Sequence, residues 1–183
     1  MAKRREVRIA GFGGQGVVLA GVLLGTAAAL YDRRYVVQTQ SYGAESRGGA
    51  ARSEVILSDE PIVYPKVLRP DILVAMSQAA LDRYISDLKP GGTLIIDPDL
   101  VTSPSEEQDV VLYHATFSET ANRQLGRSIV ANMIMLGYLS TVTRIVSPEA
   151  VTEAVRTGVP KGTEALNVKA LEMGRRMAEV QGR

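Results

Sequence analysis

Two glycine-rich stretches hold the residues best suited to chemistry. The first, Gly11-Phe12-Gly13-Gly14-Gln15-Gly16, fits the form G-x-G-x-x-G and lies between the apolar run Val7–Ala10 and a long uncharged stretch. Glycines at this spacing permit a tight turn, and the N–H groups that open the next helix point at a bound phosphate. The second stretch runs from Gln40 through Ser41, Tyr42, Glu45 and Arg47 to Gly48 and Gly49. If it follows a second strand, it lies beside the first loop at the carboxyl edge of a sheet, where open α/β sheets bind ligands. Arg47 could then grip a phosphate or carboxylate bidentately. The plainer reading is a surface turn with an internal ion pair between Glu45 and Arg47, which contributes little.

A dinucleotide site also needs an Asp or Glu at the end of the second strand, about 20 residues on, to hold a ribose hydroxyl. Here that region reads Tyr35-Val36-Val37-Gln38-Thr39-Gln40-Ser41, which offers amides and no carboxylate. Asp32, Arg33 and Arg34 all come before the strand, so neither the NAD nor the NADP pattern is well met. The same missing acid weakens an S-adenosylmethionine reading, although Leu88–Asp97 resembles a segment of those methyltransferases. Beyond the loop, Gly21, Gly25 and Ala28 or Ala29 form a small-residue stripe at helical spacing, expected to bring a helix close to the sheet.

Other candidates read more simply as structure. His114 is the single histidine and stands at a strand end, so no Ser/His/Asp arrangement is credible. Asp97 and Asp99 flank Pro98 and could hold a divalent ion, with a capped loop as the simpler reading. Asn132 and Asn167 fall in helix candidates, where an amide often bonds neighbouring backbone. Met133, Met135 and Leu136 suit a core or a subunit contact.

The elements that must position these residues follow from periodicity. Short β-branched runs predict strands at Val7–Ala10, Tyr35–Thr39, Ser53–Leu57, Ile72–Met76, Thr93–Ile96 and Val110–Tyr113. Helical patterns fall at Gln15–Leu30, Gln78–Leu88, Phe117–Leu125, Ser128–Arg144, Pro148–Arg156 and Ala165–Val180, with Ser147 as an N-cap and Pro148 after it. Alternating strands and helices predict an α/β, Rossmann-like three-layer fold with a mostly parallel sheet and a helical C-terminal part. Ser53–Leu57 alternates in polarity and is expected at an edge or antiparallel. No linker divides residues 1–183, so one domain is expected.

Composition narrows the function. Apolar residues are 45% and charged residues 22% of the 183, with a net charge of +1, which points to neither nucleic acid nor an anionic membrane. The chain has no cysteine, which removes disulfides, thiolate metal sites and cysteine-ligated clusters. The uncharged stretch between Arg8 and Asp32 is broken by glycines, leaving Val17–Leu30 as a core-length helix; a cytoplasmic location is expected.

The two loops also carry a resemblance. GFGGQGVVLAG at 11–21, QSYGAESRGG at 40–49, DILVAMSQAA at 71–80, LKPGGTLIID at 88–97, ANMIMLGYL at 131–139 and NVKALEMG at 167–174 resemble, in order, the gamma subunit of the 2-oxoacid:ferredoxin oxidoreductases. The separate gamma chain of the 2-oxoglutarate type is the nearest in pattern, with pyruvate and branched-chain types close behind. The resemblance implies a complex that oxidatively decarboxylates a 2-oxoacid, passes electrons to ferredoxin and delivers the acyl group to coenzyme A. It implies thiamine diphosphate, Mg2+ and iron–sulfur clusters on alpha, beta and ferredoxin-like delta subunits, none of them bound by this chain alone. The isolated chain is expected to be inactive, with no catalytic residue of its own. Gly11, Gly13, Gly14, Gln15, Gly16, Ser41, Tyr42, Arg47, Gly48 and Gly49 are the expected coenzyme A or subunit-interface loops. A stand-alone Rossmann-type enzyme using NAD(P) or S-adenosylmethionine is the alternative.

Overall fold

A computed structural model describes residues 4–42, 50–102 and 109–181. In chain order the elements are β1 (Arg5–Phe12), α1 (Val17–Thr26, extended by a π-helical turn over Ala27–Tyr31), β2 (Tyr35–Tyr42), β3 (Ala50–Ser58), β4 (Ile72–Ala75) and α2 (Gln78–Tyr84). They continue with β5 (Gly92–Ile96), β6 (Val110–His114), α3 (Phe117–Leu125), α4 (Ala131–Thr143), α5 (Pro148–Gly158) and α6 (Glu164–Gln181). Every predicted strand and helix is present, with ends shifted by a few residues.

The six strands form one sheet in the order β2-β3-β1-β4-β5-β6. β1, β4, β5 and β6 pair in parallel, while β3 is antiparallel to both of its neighbours, β1 and β2. Five strands therefore run one way and the sheet is mostly parallel. β3 is antiparallel as expected, but it is interior and not an edge strand. Its alternating pattern misleads because both polar residues are buried: Ser53 packs beneath α1 at Gly21, and Glu54 meets Arg8.

The sheet has two unlike faces. On one, Val7, Ile9, Val55, Leu57, Ile72, Val74 and Ile95 pack against α1, α4 and α5. α4 is the centre of this layer, buried on all sides from Ala131 to Ser140, which places Met133, Met135 and Leu136 in the core. On the other face α2, with Leu88 and Val101, covers Ala10, Leu73, Ala75, Leu94 and Ile96. Helices on both faces of a sheet give the expected three layers. A Cβ on Gly21 would overlap the Ser53 side chain, so the small residue is what lets α1 sit this close to β3.

Candidate functional site

The first glycine loop joins β1 to α1 at the carboxyl edge of the parallel strands. Gly11 and Phe12 still belong to β1, and Gly16 stands just before α1 in a left-handed conformation, φ 72°. The helix therefore begins at Val17 and not at Gln15. Gln15 is instead a strut. Its Oε1 accepts from the Phe12 N–H at 2.6 Å, and its Nε2 donates to the Met76 carbonyl at 2.8 Å. Both ends of the amide are used to tie the loop to the ends of β1 and β4. The loop backbone is thus held in shape without any charged side chain.

The N-terminus of α1 has no side-chain cap and no acidic residue in its first turn. Uncapped N–H groups here carry about half a positive charge, the usual setting for an anion. Gly14 also has positive φ, 98°, and a Cβ built on it would meet only open space. Gly16 has no such room. A Cβ there would overlap the amide of Asn132, whose Nδ2 donates to the Gly16 carbonyl at 3.2 Å. Asn132 is 3% exposed, and its Oδ1 has no partner among the described residues. Asn132 therefore bonds backbone distant in the chain, whereas Asn167 bonds the neighbouring carbonyl of Thr163, just before its own helix, as expected.

The second loop leaves the same edge. Gly11, Ala51 and Tyr42 lie in one row across β1, β3 and β2, and Ala10, Arg52 and Ser41 form the next. Ser41 and Tyr42 are exposed and close the strand from which that loop departs. Arg47, Gly48 and Gly49, with Glu45, lie outside the described residues. Phe12 at 44% and Tyr42 at 64% exposure leave two large apolar side chains in solvent at this edge. The row also explains why the dinucleotide pattern fails. β3 stands between β1 and β2, so the end of β2 is roughly 10 Å from β1, two strand spacings away. A carboxylate at that end would therefore stand one strand farther from the first loop than in a sheet where β2 adjoins β1.

One charged site was not legible in the sequence. Arg8, 3% exposed, lies on the α2 face of β1. Its Nε donates to Glu54 at 2.7 Å, a second nitrogen bonds Asp87, and a third reaches the Val67 carbonyl at 3.3 Å. Its guanidinium also stacks over the Tyr84 ring, 4.8 Å from the centroid, with Arg52 and Arg83 over the same ring. A buried arginine in a strand gives no periodic signal, and its partners become visible only once β3 and α2 are in place.

The remaining candidates resolve as structure. Asp97 accepts from the Ser118 N–H at 2.8 Å and Asp99 from the Glu119 N–H at 3.3 Å, so both cap α3. Burial pushes the Asp97 carboxyl above the ordinary 3.8, against the lowering effect of those bonds. His114 lines an apolar groove with Pro98, Met177 and Val180. No group of three or more His, Asp or Glu able to hold a metal occurs among the described residues. The donor set of the described residues therefore does not suit a thiamine-bound cation, whereas backbone N–H groups at the glycine loop suit a diphosphate.

Comparison with known proteins identifies the family. The family described as pyruvate ferredoxin/flavodoxin oxidoreductase matches residues 6–177. The 2-oxoglutarate synthase subunit KorC of Methanothermobacter marburgensis is 55% identical over 179 residues, covering 95% of this chain and 96% of its own length. Among solved structures, the gamma subunit of a keto/oxoacid ferredoxin oxidoreductase from Geobacter sulfurreducens superposes with a TM-score of 0.86 at 43% identity, covering 96% of this chain and 99% of that one. The 2-oxoglutarate:ferredoxin oxidoreductase from Magnetococcus marinus, solved with 2-oxoglutarate, coenzyme A and succinyl-CoA bound, superposes with a TM-score of 0.88 at 26% identity. It matches 97% of this chain and 31% of that longer chain.

Proposed function

This chain belongs to the pyruvate ferredoxin/flavodoxin oxidoreductase family, as a gamma subunit of a 2-oxoacid:ferredoxin oxidoreductase, and on that premise we propose that its glycine-loop edge joins partner subunits around coenzyme A. The complex is of the 2-oxoglutarate type and works in the cytoplasm. It decarboxylates the 2-oxoacid oxidatively, sends the electrons to ferredoxin and forms the acyl-CoA. Residues 1–183 act as one gamma-type domain with alpha, beta and ferredoxin-like delta partners, which hold thiamine diphosphate, Mg2+ and the clusters. Coenzyme A supplies the thiol that accepts the acyl group.

The observation that carries the reading is the uncapped α1 N-terminus beneath a loop that a strut holds open. The N–H groups of Gly13, Gly14 and Gly16 hold the diphosphate, and Gln15 positions them from behind without touching it. Arg47, Gly48 and Gly49 contribute further contacts to the ligand, as do Ser41 and Tyr42. Phe12 and Tyr42 supply the apolar contact with a partner subunit. The stand-alone NAD(P) or S-adenosylmethionine enzyme is not favoured, since β2 has no acid and is not adjacent to β1.

The test is Gly13→Val in the assembled enzyme. Gly13 does not have positive φ, so the branched side chain alters the ligand's approach and not the turn. Losing a charge-assisted hydrogen bond is expected to raise the KM for coenzyme A roughly tenfold or more, with little change in the KM for the 2-oxoacid. An unchanged coenzyme A KM in an intact complex removes the ligand role and leaves assembly alone.

A further inference from the structure

We propose that the amino edge of the sheet, opposite the glycine loop, holds a site for a compact phosphate-class dianion. The proposal does not depend on the subunit assignment. A cleft of about 260 Å³ is lined there by Arg5, Arg34, Asp59, Thr143, Arg144 and Ile145. Its walls come from separate elements: Arg5 opens β1, Arg34 precedes β2, Asp59 follows β3, and Arg144 ends α4. Three guanidinium groups therefore line one small space with a single carboxylate.

Only one of the three is neutralised. Arg34 donates from Nε to Asp59 at 3.0 Å and from Nη1 to the Ile145 carbonyl at 3.3 Å. Arg5 and Arg144 make no side-chain hydrogen bond or ion pair with any described residue, and the Nε of Arg5 is buried. Three positive charges less one negative leave a formal excess of two. Guanidinium groups gathered this way repel one another unless an anion sits between them. A phosphate carries close to two negative charges at neutral pH and offers oxygens in the directions arginine forks require.

Two backbone carbonyls beside the cleft are already engaged. The Ser140 carbonyl is taken by the Arg144 N–H at 2.9 Å, and that of Ile145 by Arg34. Size argues for an ion in place of a cofactor or peptide, because organic ligands fill sites of roughly 300–1,000 Å³. Arg144 also lines a second cleft of about 660 Å³ formed by α4, α5 and α6.

The test is calorimetric titration of the full chain, and of the assembled complex, with inorganic phosphate against chloride at equal ionic strength. One saturable phosphate per chain is expected in both. Arg144→Asn keeps a residue that tolerates the left-handed backbone at this position, φ 49°. It is expected to weaken binding about tenfold or more while leaving the phosphate-free Tm unchanged. Arg5→Gln is expected to do the same from the opposite wall. Absence of phosphate binding beyond chloride, or unchanged binding in both variants, overturns the proposal. So does binding by the free chain that disappears in the complex, which assigns the cleft to a partner's carboxylate.

Discussion

The glycine loop and the buried Arg8 site lie on the same strand, β1, and present positive charge by opposite means. At the loop it comes from backbone N–H groups at the start of α1, held in place by the neutral amides of Gln15 and Asn132. Under α2 it is a full guanidinium charge, removed from water and balanced by Glu54 and Asp87. The first arrangement has no ion to desolvate and depends on conformation. The second tolerates small shifts of backbone but not the loss of a partner. An incoming anion meets free donors only at the first, because those of Arg8 are already engaged.

The largest expected effect comes from breaking the charged site. Arg8→Ala leaves Glu54 buried without its closest cation, since Arg52 stands 3.9 Å away. Unfolding in urea is expected to show a loss of about 3–5 kcal/mol. Arg8→Met with Glu54→Gln removes both charges together and is expected to recover most of it. Equal losses in the single and double variants break the comparison.

At the loop, Gly16→Ala forces a Cβ into the left-handed region and against Asn132, at a cost of about 1–2 kcal/mol for the backbone plus the overlap. Adding Asn132→Ala is expected to relieve the overlap and leave the backbone share, read as a partial recovery of Tm. Gln15→Ala removes two hydrogen bonds worth about 1 kcal/mol each. Its clearer readout is a raised KM for coenzyme A in the assembled enzyme, since the loop loses its tie to Phe12 and Met76. A variant that loses stability but keeps that KM separates the strut from the ligand.

The smallest effect is a pH dependence at Asp97, where a carboxylate is held by N–H groups yet burial dominates. Its folded pKa lies above the unfolded value, so the folded state binds the proton more tightly. That contribution is present at low pH and is lost as pH rises from about 4 through the folded value. Urea midpoints are expected to fall over that window relative to Asp97→Asn, and parallel curves would remove this assignment.

The elements were legible in the sequence because the local signals agreed. β-branched runs marked the strands, and Ser147 before Pro148 marked the start of α5, where its Oγ accepts from the Ala150 N–H at 3.2 Å. What stayed hidden depends on distant pairing. The sequence pattern starts α1 too early because Gln15 suits a helix, and only the folded chain has its amide bridging two strand ends. β3 looked half exposed because nothing local shows that Glu54 will meet Arg8 or that Ser53 will lie under Gly21. The contact of Asn132 with Gly16 joins residues 116 apart in the chain. The register of β1, β2 and β3 brings Gly11 of the first loop to the same edge as Tyr42 and Ala50, which flank the second.

The subunit role is tested most directly by native mass spectrometry of the tagged chain purified anaerobically from its own host. The account predicts co-purification with cysteine-bearing, thiamine-binding partners in one complex. A lone monomer or homodimer carrying a bound nucleotide would contradict it.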